Sequence, residues 1–204
     1  MKKILVFVLT LAFAVACSKD HSSPLDLNPV DKTDVLIPLA VGNTWYYDTY
    51  FVSSSNPKDS IKIESSFATV PSKFKIGDED WYNWSDGTDG WAPLTNRDDG
   101  LYFYVGEEYP PLPFYKYPTK VGDKNAEGSS KWKTISVDAQ ISVPAGKFSC
   151  IQFEQFNSGP LKSYDFYCPK VGLIQESHIV EITGKGAFLD TTWSHTVLTK
   201  YVLK

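Results

Sequence analysis

Residues 141–176, ISVPAGKFSCIQFEQFNSGPLKSYDFYCPKVGLIQE, hold the reading on which the fold turns. Aromatic and β-branched residues recur on either side of Asn157-Ser158-Gly159-Pro160: Phe148, Ile151, Phe153 and Phe156 before it, Tyr164, Phe166 and Tyr167 after it. A cluster of turn formers between two such runs is a strand-turn-strand signal. Cys150 and Cys168 stand equally far from Gly159, so a symmetric hairpin places them at facing positions.

The same grammar extends in both directions. Toward the N-terminus, Thr44 to Val52 is a β-prone run, and Ile61 to Val70 alternates Ile61, Ile63 and Ser65 against Lys62 and Glu64, as a strand with one wet face does. Gly77-Asp78, 85–90 (SDGTDG) and 96–100 (NRDDG) read as turns between short strands. Toward the C-terminus, 132–143, 173–183 and 189–203 are further strands. Residues 107–117 (EEYPPLPFYKY) carry three prolines, which favour an extended surface loop over a central strand. Pro38-Leu39-Ala40-Val41-Gly42-Asn43 is echoed by Pro118-Thr119-Lys120-Val121-Gly122-Asp123 and, more briefly, by Pro169-Lys170-Val171-Gly172. The residues after each copy do not align, so a recurring turn at the start of a strand is expected rather than a duplicated unit. No long run shows helical spacing. The expected fold is all-β, a single antiparallel, strongly curved sheet or half-open barrel of about nine or ten strands.

The N-terminus has a different character. Lys2 and Lys3 precede the apolar run 4–16 (ILVFVLTLAFAVA), which is too short for an ordinary spanning helix and ends in small residues, as a secretory signal does. Ala14-Val15-Ala16-Cys17 resembles a bacterial lipobox, with Ala14 where that pattern usually has Leu. The resemblance implies diacylglycerol attached to the sulfur of Cys17 and a mature chain beginning there. Each buried methylene contributes about 0.8 kcal/mol, so two or more acyl chains anchor durably. Ser18 after the cysteine resembles the outer-membrane sorting pattern of such lipoproteins. Residues 17–34 then form a lipidated Cys and flexible tether, polar and rich in turn formers, and 35–204 form one β domain.

Composition narrows the function. The 204-residue chain is 42% hydrophobic, 15% aromatic and 22% charged, with net charge −4 and Arg97 as its one arginine. An acidic surface without basic clusters argues against nucleic acid, whose phosphates need Lys and Arg. With Cys17 lipidated, Cys150 and Cys168 are the remaining thiols in an oxidising compartment: either they bridge, or they are two small buried residues that never meet. The acidic residues around Asp78, Glu79, Asp80, Asp86, Asp89, Asp98 and Asp99 lack the spacing of a calcium loop and read as solvated turns. No nucleophile elbow or phosphate loop is present, and Ser194-His195 is mere adjacency. No enzyme, cofactor or metal is expected.

The motifs Pro38-x-x-Val41-Gly42-Asn43-x-Trp45-x-Tyr47, Val143-Pro144-Ala145-Gly146-x-Phe148-x-Cys150 and Pro169-x-Val171-Gly172-Leu173-Ile174 together resemble a family of exported β-rich lipoproteins common in Bacteroidota. A looser analogy is to the half-open barrels of the lipoprotein carriers LolA and LolB. These resemblances imply a cell-envelope, outer-membrane lipoprotein, periplasmic or surface-exposed, that serves as a binding or structural module and brings no catalytic residues. Its candidate partners beyond the membrane are a glycan, a lipid or an envelope protein. A carrier needs an enclosed, dry, aromatic-lined cavity. A glycan-binding protein needs exposed, coplanar aromatics, for which Trp81, Trp84, Trp91 and Tyr115 are the candidates.

Overall fold

The computed structural model describes residues 34–87, 92–125, 131–155, 163–185 and 188–204. Twelve strands follow in chain order: β1 (Thr44–Ser53), β2 (Ser60–Ile76), β3 (Glu79–Ser85), β4 (Ala92–Arg97), β5 (Gly100–Phe103), β6 (Leu112–Lys116), β7 (Lys124–Asn125), β8 (Trp132–Val143), β9 (Gly146–Gln155), β10 (Ser163–Cys168), β11 (Gly172–Lys185) and β12 (Phe188–Val202). They form one antiparallel sheet in the order β6-β5-β4-β3-β2-β1-β12-β11-β10-β9-β8-β7. The first and last strands therefore pair at its centre.

The count exceeds the nine or ten expected because two strands leave no pattern in the sequence. β7 has two residues, and β6 lies inside the proline stretch read as a surface loop. Proline is tolerated there because β6 is an edge strand, where a missing N–H breaks no ladder. Pro71 falls in the middle of β2, at the irregularity where the register with β3 shifts between Thr69 and Ser72. A bulge is the one place a central strand can hold it.

The sheet curls until its two edges meet. Asn125 Nδ2 donates to the Pro113 carbonyl at 3.0 Å, and Trp132 Nε1 donates to the Phe114 carbonyl. Side-chain donors thus satisfy edge carbonyls that a flat sheet would leave open. Rings fill the bore: Tyr115 lies 4.4 Å from Phe153, 5.0 Å from Tyr167 and 5.7 Å from Trp132 between centroids.

One end of this barrel is plugged by the segment that leads into β1. Leu36, Ile37 and Leu39 are buried. The plug is held by main-chain groups: Lys170 N–H donates to Val35 O at 2.8 Å and Asn96 Nδ2 to Ile37 O at 2.9 Å. Asn43, fully buried, donates to Pro38 O and accepts from Lys204 N–H through its Oδ1. The recurring motif proves to be a recurring turn. Gly42 N–H bonds Val70 O while Val70 N–H bonds Asn43 O, and Gly122, Thr134 and Asp123 repeat that exchange, with φ of 95° at Gly42 and 92° at Gly122. The third echo differs, since there the positive φ falls on Lys170 as well as Gly172.

Candidate functional site

Two of the four aromatics considered for a glycan platform are buried. Trp81 and Tyr115 are each 1% exposed. Trp84 packs on Trp45 with ring centroids 4.8 Å apart. Trp91 and Cys17 lie outside the described residues. The physical reason is that rings share the core with aliphatic side chains: Trp45, Tyr115, Trp132 and Phe153 are buried among Leu36, Leu101, Ile174 and Leu198. Tyr115 belongs to the core cluster inside the bore, whereas Trp81 packs with Tyr104 and Arg97 outside that cluster.

The acidic turns are likewise occupied. Arg97 binds Glu79 in bidentate fashion at 2.8 Å and sits 4.5 Å from the Tyr102 ring centre, while Lys73 and Lys75 pair with Asp80. Among the described residues no group of three or more His, Cys, Asp or Glu is placed to hold a metal ion.

The cysteine register is the one the symmetry about Gly159 implies. β9 pairs β10 from Gln155↔Ser163 through Ile151↔Tyr167, a register centred on Gly159 that ends one residue short of Cys150 and Cys168. Both are buried, free thiols, and burial pushes Cys150 up to about 12 and Cys168 up to about 11. Such thiols are poor nucleophiles in the folded protein.

Directly paired residues on neighbouring strands point to the same face, and the register therefore identifies what lines the bore. One row runs Phe153, Asp165, Glu176, Thr196, Thr49, Glu64 across β9, β10, β11, β12, β1 and β2. The next row, farther from the plug, runs Gln155, Ser163, His178, Ser194, Phe51, Ile61. Phe153 is fully buried, which fixes this as the inner face. Two carboxyls, Asp165 and Glu176, thus stand side by side in the wall, with Thr49 and Thr196 hydroxyls 3.0 Å apart beside them.

Asp165 is 4% exposed. Its Oδ2 accepts from the Tyr115 hydroxyl and from Gln155 Nε2, the latter at 2.6 Å, which ties edge strand β6 across the bore to β9 and β10. Its Oδ1 has no hydrogen-bond partner among the described residues. Burial raises its proton affinity above the ordinary carboxylate range, although the Tyr115 and Gln155 bonds oppose this. Glu176 is different: its side chain is 41% accessible and lies 3.8 Å from His178 Nδ1. Even so, desolvation first and the field of Asp165 second push it up to about 7.

A pH dependence of stability results. Folded Glu176 keeps its proton up to about pH 7, whereas the unfolded group loses it near 4.5, so between those values the folded chain binds more protons and stability falls as pH rises. Asp190, held down to about 2 by hydrogen bonds from Ser53, Ser54 and Ser55, acts oppositely, and its contribution disappears only below pH 4. His195, whose proton affinity burial lowers, works against this slope, so the contribution of Glu176 is read as a difference: between pH 5 and pH 8 the wild-type Tm should fall relative to that of Glu176→Gln. Parallel profiles of the two proteins across that window would show that Glu176 is not desolvated.

The outer face of the same strands carries a second feature. Tyr164, Trp193 and His195 have nearly parallel rings, with 6.1 Å between successive centroids and interplanar angles of 24° and 4°. They border a hollow of about 260 Å³ with Phe166, Gln175 and Ser177. His195 meets Ser177, not its neighbour Ser194: Nδ1 and Oγ are 2.8 Å apart. Ser177 is buried, so the contact satisfies a hydroxyl beneath the rings.

No protein-family profile matches the chain, and no curated protein does. A protein of Bacteroides fragilis taken to be exported, with a YmcC-like fold, superposes with TM-score 0.50 at 12% identity, covering 83% of this chain and 100% of that one. A protein of Parabacteroides distasonis, provisionally classed as a lipoprotein, gives 0.41 at 13% identity, covering 83% of this chain and 99% of its own. At such identity the first likeness defines the class of fold alone: a YmcC-like, all-β, curled sheet.

Proposed function

We propose that this is a lipid-anchored, non-enzymatic binding protein of the cell envelope, held at the outer membrane through Cys17, whose ligand is taken by the inner rows away from the plug. One observation carries this reading. The described chain enters through the plug at 34–39, while the accessible inward carboxyl Glu176 lies in a row farther along the strands, so the end away from the plug is left for a ligand. The fold neighbour from Bacteroides fragilis, taken to be exported, agrees with an envelope location.

Two measurements test it. Radiolabelled palmitate should enter the wild-type chain and not Cys17→Ser, and an unlabelled wild type would sink the anchor. Native mass spectrometry of full-length protein extracted from membranes should show a small co-purified mass that is lost on dialysis. A tightly held lipid instead would favour the carrier. Cys150 and Cys168 are unbridged in the structure, but an oxidising envelope should join them: denatured protein from that source should bind thiol reagent only after reduction. Immediate labelling of Cys150 and Cys168 would leave them as packing residues.

A glycan-binding reading has one observation in its favour, the near-parallel Tyr164, Trp193 and His195 rings around the outer hollow. Glycan-array binding abolished by Trp193→Ala would support it, and binding that survives that change would dismiss it.

A further inference from the structure

We infer that the outer face of the sheet beside the plug lies against the bilayer, with Tyr46, Phe67 and Val202 seated among the lipid headgroups. This rests on the reading that Cys17 carries the lipid anchor, and it names the surface that the anchored body turns to the membrane.

Trp45 and Tyr47 are buried, so Thr44 and Tyr46 point outward, and the register carries that face to the neighbouring strands. One outer row joins Val202, Thr44 and Thr69 across β12, β1 and β2, and the next joins Lys200, Tyr46 and Phe67. Val202, Tyr46 and Phe67 are 41%, 41% and 42% exposed. The Thr44 and Thr69 hydroxyls lie 3.1 Å apart and bond each other, so the polar groups between these side chains are already satisfied. Val41 and Leu203, also exposed, extend the patch at the rim, where Lys204 N–H donates to Asn43 Oδ1 at 2.8 Å. Single exposed hydrophobics are ordinary, but a contiguous group of them marks a surface that binds protein or membrane.

Position and chemistry together select the bilayer as the occupant. Residues 18–33 link Cys17 to the plug, and a flexible chain of that length spans roughly 20–25 Å, so the plug end stays next to the membrane. Ile182, an equally exposed hydrophobic, pairs with Thr191, which stands eleven residues along β12 from Val202, roughly 35 Å at ordinary strand rise. The far end is thus held away. Tyrosine suits the interface because its ring is apolar and its hydroxyl polar. Lys200 Nζ lies 5.7 Å from the Tyr46 ring centre, so its stem runs along the apolar face while its charge meets lipid phosphate. Neither row holds a carboxylate to repel that phosphate. A partner strand has no place here, because β12, β1 and β2 are each paired on both sides.

The test uses full-length protein extracted from membranes and reconstituted into vesicles of phosphatidylethanolamine and phosphatidylglycerol. An environment-sensitive fluorophore is placed on Val202→Cys or, as the distant control, on Ile182→Cys, while the buried Cys150 and Cys168 stay unlabelled in folded protein. Lipids carrying a nitroxide at the headgroup should quench the label at 202 at least threefold more strongly than the label at 182. Adding Tyr46→Ser and Phe67→Ser, both at exposed positions that tolerate change, should remove most of that difference. Quenching that survives the double change means that the tether alone holds the label near lipid, and it overturns the contact. Equal quenching at 202 and 182, in protein that floats with the vesicles, overturns the contact and leaves the anchor standing. A blue-shifted but unquenched label at 202 also overturns it and gives the patch to a protein partner or a second copy. Protein that does not float with the vesicles overturns the anchor, and this inference with it.

Discussion

Gly100→Ala should destabilise the protein by about 3 kcal/mol or more, the sum expected from backbone strain and overpacking together. Gly100 opens β5 with φ of 151°, a conformation that side-chain-bearing residues rarely adopt. A Cβ there would collide with the Tyr115 carbonyl oxygen and come within 3.0 Å of Lys116 Cα. Both obstacles are backbone of β6, so relief requires moving the strand that carries Tyr115 into the bore and closes the seam. Domains are typically stable by only 5–15 kcal/mol, so the loss is a large share of the total. Urea unfolding tracked by far-UV circular dichroism measures it. Gly77→Ala is the control: its φ is also positive, at 60°, but an added Cβ meets nothing within 4 Å. Equal losses in the two variants would show that strain alone acts and that β6 is not wedged.

Trp45→Ala should cost about 3–5 kcal/mol, as deletion of a fully buried large ring does. Trp45 is fully buried, packs on Trp84 and donates from Nε1 to the Val171 carbonyl at 2.6 Å. Removing it leaves a cavity beside the plug and an acceptor without its donor. Because the plug residues Leu36 and Ile37 belong to the same core, the variant should also become sensitive to proteolysis at 35–39. Trp45→Phe retains most of the packing and loses the hydrogen bond, and it should fall between the two. A Trp45→Ala protein that resists protease as the wild type does would mean the plug is held by its main-chain bonds alone.

How much of this is legible in the sequence depends on whether the deciding contact is local. The β9–β10 register can be read from Gly159 because a hairpin's turn fixes its pairing. Strand β8 has the bounds its pattern predicts, Trp132 to Val143, since turn formers flank it on both sides, although its alternation changes phase where the register with β9 shifts. Tyr115 is misplaced by the sequence reading because three prolines nearby signal a surface loop, and nothing local reveals that an edge strand needs no ladder on one side. The carboxyl pair does not stand out from the other acids. Asp165 alternates with Tyr167 on a core-facing strand, and a charge on a core face is the available signal. Its partnership with Glu176 depends on the β10–β11 register, and a bulge between Phe166 and Tyr167 shifts that register. The parallel rings of Tyr164 and Trp193 likewise come from strands whose adjacency no local pattern encodes.

The pairing of β1 with β12 at the middle of the sheet sets a timetable. In a chain delivered N-terminus first, β1 finds β2 at once but waits for ten further strands before its other edge is covered. Lys204, which completes the network around Asn43, arrives later still. Such distant pairing makes folding slow, because a long loop must close before its contacts are gained. Throughout that interval β1 presents a bare edge and the Trp45 and Tyr47 rings to whatever surrounds it, so the nascent chain, unlike the finished barrel, is a natural client for a chaperone.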